Sequence, residues 1–287
     1  MVVDNCSEVP LQEKIDISWH PHNRIVREER LGLTHARVRG FNEAQGNIVV
    51  LVDDDNVLRP DYLMHANRIA RKFDWIGAFG GNVKPRYEVA PPDWSLSRQR
   101  MLAVVEVQEP RYALLKDLSI INCAPVGAGM VIRRDIGLAY AMSLKDNPMR
   151  AALDRTGDSL VSGGDNDLCY FCQDLGYGTG LFPELQIEHL IPAARLTLPY
   201  FQRLAEGMAF SHTILQHLWS GKWTKTELSR SPSSRIDLVL DHYKRIRWHL
   251  TRSRQMSNPG VALLEAERRG YSRAIKIISN LPATVNE

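Results

Sequence analysis

The sequence predicts an α/β protein with a helical C-terminal region, and three observations carry that reading. A β-branched run over residues 48–52, bounded by Gly46 and ending in Asp53-Asp54-Asp55, reads as a short buried strand. Further short strand-like segments alternate with segments of helical apolar period up to about residue 198. From Pro199 onward only the helical period remains. The 287 residues are 44% hydrophobic and 24% charged, which excludes a disordered or fibrous chain. The 36 Lys and Arg against 33 Asp and Glu leave a net charge of +3, too little to predict a nucleic-acid partner. No apolar run reaches the roughly 18 residues of a membrane span, and no charged segment followed by a long apolar one opens the chain, so the expected location is the cytoplasm. Four cysteines in this length do not form a disulfide scaffold.

The elements follow in order. Pro60-Asp61 opens a helix with Leu63, Ala66, Ala70 and Phe73 on one side, so the three aspartates sit between a strand end and a helix, where open α/β sheets place ligands. Pro91-Pro92 marks a loop, and Gly127-Ala128-Gly129 a tight turn into a strand over 130–133. Gly163-Gly164 precedes a helix over about 165–175, closed by Gly176, whose buried face is Leu168, Phe171, Cys172 and Leu175. Residues 185–191 alternate as a strand ended by Pro192. Phe201, Leu204, Met208, Leu215 and Leu218 form one helical stripe, and Ile236, Val239, Leu240, Tyr243, Ile246 and Leu250 a second, separated by Ser231-Pro232-Ser233-Ser234. Asn258-Pro259-Gly260 sets off a third helix. Charge shifts near residue 200: residues 1–200 carry 22 Lys and Arg against 26 Asp and Glu, residues 201–287 carry 14 against 7. The chain therefore divides into a region 1–198 and a basic, mostly helical region 199–287.

Three groups of residues offer chemistry. Adjacent carboxylates repel, and a hard divalent cation with oxygen ligands relieves that repulsion; Asp53 and Asp55, two apart on extended backbone, point the same way. A solvated acidic turn is the competing reading. Asp165 and Asp167 open a helix after two glycines, so one suits a helix cap and one a general base. His189 lies in an apolar strand, as a core residue or a metal ligand. Cys169 and Cys172 have CxxC spacing, but no second pair exists and Cys172 belongs to the buried stripe, which argues against zinc or redox work.

Together these pieces resemble family 2 glycosyltransferases of the GT-A fold. Val2-Val3-Asp4-Asn5-Cys6-Ser7 resembles the nucleotide-binding strand end VVDNxS, and Gly32-Leu33-Thr34-His35-Ala36-Arg37-Val38-Arg39-Gly40 with Ala44 and Gly46 resembles GxxxARNxGxxxAxG. Val52 to Asn56, with Pro60 and Leu63, matches the DxD segment. Gly127-Ala128-Gly129-Met130 with Arg133-Arg134 is similar to the glycine turn near the sugar site. Gly164-Asp165-Asn166-Asp167-Leu168 is similar to GEDxDL, and His189 with Arg195 to the downstream HxxxxxR. The motifs occur in order over residues 2–195.

The resemblance implies a Rossmann-like mixed sheet flanked by helices, the catalytic domain being 1–198. It implies inverting transfer of a sugar from a nucleoside-diphosphate donor to an acceptor hydroxyl, in cell-surface or extracellular polysaccharide assembly. It places Asp165 as base and Asp55, Asp53 and His189 as ligands of Mn²⁺ or Mg²⁺. Asp4, Arg37, Asp53, Asp54 and Gly129 are expected at the donor, and Asp167 and Arg195 at the acceptor or a phosphate. The acceptor class is a saccharide, free or lipid-linked; separately, the charge of the basic helices after residue 200, including Lys244, Arg245, Arg247, Arg252 and Arg254, reads first as a solvated basic surface and alternatively as a contact with an anionic membrane face. Three departures stand out: Val38 replaces the usual Asn, Gly164 replaces the Glu before the base, and the match begins at the second strand of the usual fold. An upstream strand and helix of roughly 30 residues is therefore expected before Met1, the alternative being a truncated enzyme. Two other functions compete: nucleotidyl transfer to a sugar phosphate, and a non-catalytic module binding sugar nucleotide or protein.

Overall fold

The computed structural model describes residues 1–114, 122–145, 147–223 and 258–281. The second apolar stripe, the Ser-Pro linker and the five named basic residues of 244–254 lie outside them. Eight strands and eight α-helices are described: β1 (Val2–Asn5), β2 (Ile25–Glu28), α1 (Leu33–Glu43), β3 (Ile48–Val50), β4 (Asn56–Leu58), α2 (Tyr62–Lys72), β5 (Ile76–Tyr87), α3 (Asp93–Leu96), β6 (Arg111–Ala113), β7 (Val131–Arg133), α4 (Arg134–Ser143), α5 (Pro148–Ala151), α6 (Gly164–Asp174), β8 (Gly178–Ile191), α7 (Leu198–Trp223) and α8 (Asn258–Ser279).

Six strands form one mixed sheet in the order β3-β7-β5-β8-β4, with β6 also paired to β8. The β5–β8 pair is parallel, and β3–β7, β5–β7, β4–β8 and β6–β8 are antiparallel. β1 and β2 pair in parallel as a separate two-stranded sheet, and among the described residues β3 has β7 as its one strand partner.

Successive residues of a strand face opposite sides, and that alternation builds the core on both faces of the sheet. Ala78 and Ile132 look toward Phe41, Ile136, Tyr140, Leu168 and Cys172, so α1, α4 and α6 cover one face. Their neighbours Phe79 and Val131 look the other way, toward Tyr62, Ala66 and Ile69 of α2. Three apolar residues differ from the pattern read in sequence. Leu63 is 59% exposed because α2 turns Tyr62, Ala66, Ile69 and Ala70 inward instead. Leu175 is 46% exposed because α6 ends at Asp174, leaving Leu175 as its C-cap. Met208 likewise faces outward from α7, while Phe201, Leu204 and Leu215 are buried.

Residue 198 marks a change from strand to helix without a change of core. Leu215 and Trp219 of α7 and Ile278 of α8 join the cluster that covers the sheet, and Phe201 and Leu204 pack with Leu263 and Ala266 of α8. No helix among the described residues is long and apolar enough to cross a membrane.

Candidate active site

The site forms where the chain leaves β3. Leu51 continues the strand direction, its N–H donating to the Met130 carbonyl (2.8 Å) while its own carbonyl accepts from Gly129 N–H (2.9 Å). The glycine turn is thus stitched to the strand two residues before Asp53. Gly129 has φ +73°, in the left-handed region that favours glycine, and its carbonyl accepts from the Tyr62 hydroxyl. After Asp53 the chain reverses, Asn56 N–H donating to the Asp53 carbonyl at 3.0 Å, and enters β4 before reaching α2. This strand is absent from the sequence reading. It sets Asn56 opposite His189 in the β4–β8 register, and Leu190 N–H donates to the Asp55 carbonyl (2.8 Å). Register alone therefore brings Asp55 beside His189, residues 134 positions apart in the chain.

Asp55 Oδ2 lies 3.4 Å from His189 Nε2, and Arg195 Nη1 stands 2.6 Å from that oxygen and 3.2 Å from that nitrogen. His189 Nδ1 is 3.0 Å from the Leu102 carbonyl. A carbonyl only accepts, so Nδ1 carries a proton, and Nε2 faces Asp55 Oδ2 and the arginine. Burial works against ionisation of Asp55, but His189 and Arg195 outweigh it and hold the carboxyl at about 2. An ionised carboxylate beside a tautomer-locked imidazole fits two ligands of a divalent cation whose remaining positions are met by ligand oxygens and water. No group of three or more His, Cys, Asp and Glu side chains is assembled for a metal among the described residues, so Asp53 does not complete a set of three. Arg195 supplies positive charge at this pair.

A second cluster surrounds Arg37 of α1. Its Nη1 is 3.0 Å from Asp154 Oδ2, with both side chains nearly fully buried. Asp165 and Asp53 add further negative charge facing the same guanidinium. Asp165, in the first turn of α6, accepts from Gly127 N–H (3.1 Å) through Oδ2 and from Asn166 N–H (2.8 Å) through Oδ1. Burial pushes the Asp165 carboxyl up, Arg37 opposes that rise, and Asp154 adds to it; the net direction is upward. Asp53 is raised as well, first by burial, against Arg37 and with the neighbouring Asp55. A half-buried carboxylate with a raised pKa on a glycine-lined turn has the character of a general base.

The other predicted positions fare differently. Asp54 alternates out to solvent between the half-buried Asp53 and Asp55. Asp4 is buried, and both its oxygens are taken within its own sheet and loop: Oδ1 by Ser7 N–H (3.1 Å), Oδ2 by Leu11 N–H (3.2 Å) and Arg27 (2.7 Å). It organises the turn after β1 and offers no free oxygen to a nucleoside. Arg37 is paired with Asp154 and faces Asp165 and Asp53 inside the fold.

Asp167 does not face an acceptor or a phosphate. It is 0% exposed and accepts from the Tyr140 hydroxyl (2.9 Å), Arg150 Nε (2.9 Å) and Trp219 Nε1 (2.8 Å), while the Arg150 guanidinium stands 5.2 Å from the ring centres of Tyr140, Phe171 and Trp219. This buried ion pair ties α4, α5, α6 and α7 together. Cys169 and Cys172 are fully buried free thiols, Cys172 pushed up to about 12 by burial, in keeping with a structural role.

Asp154 and Arg150 escaped the sequence reading. Asp154 lies in the loop before α6 in no recognisable motif, and its one signal is an acidic residue close upstream of Gly163-Gly164.

The family model described as "Glycosyltransferase like family 2" matches residues 3–209. No match among curated proteins was found. Among solved structures, a mycobacterial protein aligns at 15% identity and TM-score 0.35 over 71% of this chain, which spans 61% of that one. S. aureus TarS, residues 1–349, aligns at 15% identity and TM-score 0.40, covering 96% of this chain and 81% of TarS. The same TarS fragment in complex with UDP-GlcNAc aligns at 13% identity and TM-score 0.41, covering 96% and 82%.

Proposed function

Because the chain belongs to the glycosyltransferase-like family 2, we propose that it moves a sugar from a nucleoside-diphosphate donor to an acceptor hydroxyl, with inversion. The observation that supports this most is the placement of two differently tuned carboxylates at one strand end. Asp55 is held ionised against His189 and Arg195, and Asp165 is raised on the glycine turn stitched to the same strand. Environments that push two carboxylates apart in pKa assign one to charge stabilisation and one to proton transfer.

In this mechanism Asp55 and His189 would hold a divalent cation, Mn²⁺ or Mg²⁺. The chemistry a cation supplies there is neutralisation of the charge on a diphosphate leaving group. Arg195, seated at Asp55, brings to the same place a guanidinium of the kind suited to phosphate oxygens. Asp165 takes the proton of the acceptor hydroxyl as that oxygen attacks the anomeric carbon from the face opposite the diphosphate. One bond forms and one breaks in a single displacement, so no nucleophilic side chain is needed. The acceptor is a saccharide, free or lipid-linked, of a surface polysaccharide.

A thermal-shift panel of UDP, GDP, CDP and dTDP, each with and without Mn²⁺, tests the donor site. The reading expects one base to raise the midpoint only with metal, since ligand at a hundred times its Kd adds about 2.7 kcal/mol. Equal midpoints across all eight conditions contradict it.

A further inference from the structure

Gly164 opens α6 beside Asp165 and has no side chain where the resemblance puts a glutamate. Its φ is not in the left-handed region, so backbone conformation does not demand glycine. Space does. A Cβ on Gly164 would lie 2.2 Å from Oδ2, 2.4 Å from Cγ and 2.5 Å from Oδ1 of Asp154. The room next to residue 164 is already filled by a carboxylate delivered from the loop between α5 and α6.

That carboxylate is buried and engaged, its Oδ2 accepting from Thr34 Oγ1 (3.1 Å) and Arg37 Nη1 (3.0 Å). On the other side of the guanidinium, Arg37 Nη2 lies 2.4 Å from where a Cβ on Gly127 would stand, so the arginine packs against the turn. The Gly127 N–H in turn donates to Asp165. Contact therefore runs from Asp154 through Arg37 and the Gly127 turn to Asp165. We propose that Asp154 is a positioning residue, supplying from the preceding loop the carboxylate that residue 164 lacks, and seating Arg37 against the Gly127 turn so that Asp165 is held in place. This rests on the reading of Asp165 as the base.

Two physical consequences follow. Without Asp154, Arg37 keeps its charge in a buried place and loses its hydrogen-bonded partner, a costly arrangement. The charge around Asp165 also changes. Facing it are Arg37 from α1, Asp154 from the loop, and Cys169 from its own helix, with Asp53 from the end of β3 and Tyr140 from α4 reaching the same arginine. Removing Asp154 takes away a like charge and leaves Arg37 more fully to Asp165, so the base becomes more acidic.

The test is an exchange of side chains. Asp154→Ala, Gly164→Glu and the double variant are compared with the unaltered protein by Tm and by release of nucleoside diphosphate from a panel of nucleotide sugars with Mn²⁺. Each single change is expected to lower Tm, Gly164→Glu by collision with Asp154 and Asp154→Ala by stranding Arg37. The double variant is expected to recover, because the new side chain enters the vacated room. Asp154→Asn, which keeps the shape, should lower kcat about tenfold with donor KM little changed and move the acid limb of the pH profile to lower pH. Losses that simply add in the double variant overturn the proposal, as does an Asp154→Asn pH profile that superimposes on the unaltered one. If the unaltered protein releases no nucleoside diphosphate from any donor, the transferase reading fails, and the Tm cycle still decides whether residues 154 and 164 share one place.

Discussion

Arg37 faces the carboxylates Asp53, Asp154 and Asp165, and with Arg155 also acting on Asp53 the negative charges still outnumber the positive ones. That imbalance, added to burial, is why Asp165 is raised while Asp55, with Arg195 and His189 at hand, is lowered. Arg195 is the residue whose role is easiest to isolate. Its guanidinium sits within 3.2 Å of both members of the Asp55–His189 pair, and a unit charge at roughly 4 Å is worth about 1–4 kcal/mol at surface-like dielectric. Arg195→Ala is therefore expected to tighten Mn²⁺ binding in the absence of nucleotide by about tenfold or more, read by calorimetric titration. Unchanged or weaker Mn²⁺ binding would show that the pair does not take the metal.

Asp4 makes a different kind of prediction. Burial raises its carboxyl, but the bonds from Ser7, Arg27 and Leu11 win and hold it well below its ordinary 3.8. A carboxylate depressed in the folded state contributes stability above its unfolded pKa and loses it as pH falls toward the folded value. Asp4→Asn should cost roughly 1.5–3 kcal/mol near neutral pH and progressively less below about pH 4, read by urea denaturation across the range. A cost independent of pH would mean the carboxylate is not the stabilising form.

At the scale of elements, the buried Asp167–Arg150 pair joins four helices. Removing one member leaves the other charged without its partner, so Asp167→Ala should destabilise by about 3–5 kcal/mol in urea denaturation. Donor binding by the fraction that remains folded should stay intact, since neither residue reaches the site. A loss of donor affinity at unchanged stability would restore Asp167 as a phosphate contact. The elements most legible in the sequence were those with a sustained pattern. α6 and the alternating half of β8 stand where periodicity put them, because each buries a face long enough to impose a period, whereas β3, read as a buried strand over 48–52, pairs only over Ile48–Val50 and is half-buried. The three-residue β4 leaves no such trace. Its existence depends on pairing with β8, a contact that no local pattern encodes, and it carries the register that brings Asp55 to His189. Leu63 misled because Tyr62 and Leu63 are adjacent on α2, and which of the two turns inward is decided by the sheet beneath.

Across the whole molecule, the change of charge near residue 200 does not coincide with a change of core. α7 and α8 close over the same sheet that carries the site, and the family match runs past that point to residue 209. The aspartate run and the glycine turns were legible because carboxylates and glycines in those positions have few other uses. Asp4 and Asp167 carry the same motif letters and are held by partners distant in sequence, Arg27 and Arg150, while Arg37 is paired with Asp154 beside Asp165. The central claim is that Asp165 moves the proton while the Asp55–His189 pair serves the donor. Its most direct measurement is transfer from a nucleotide sugar by the unaltered protein and by Asp165→Asn, at matched donor occupancy established by titration. The account predicts unchanged donor affinity, a kcat lower by about a hundredfold or more, and for the unaltered protein an acid limb shifted upward from that of an ordinary aspartate. An Asp165→Asn protein with full kcat would contradict it.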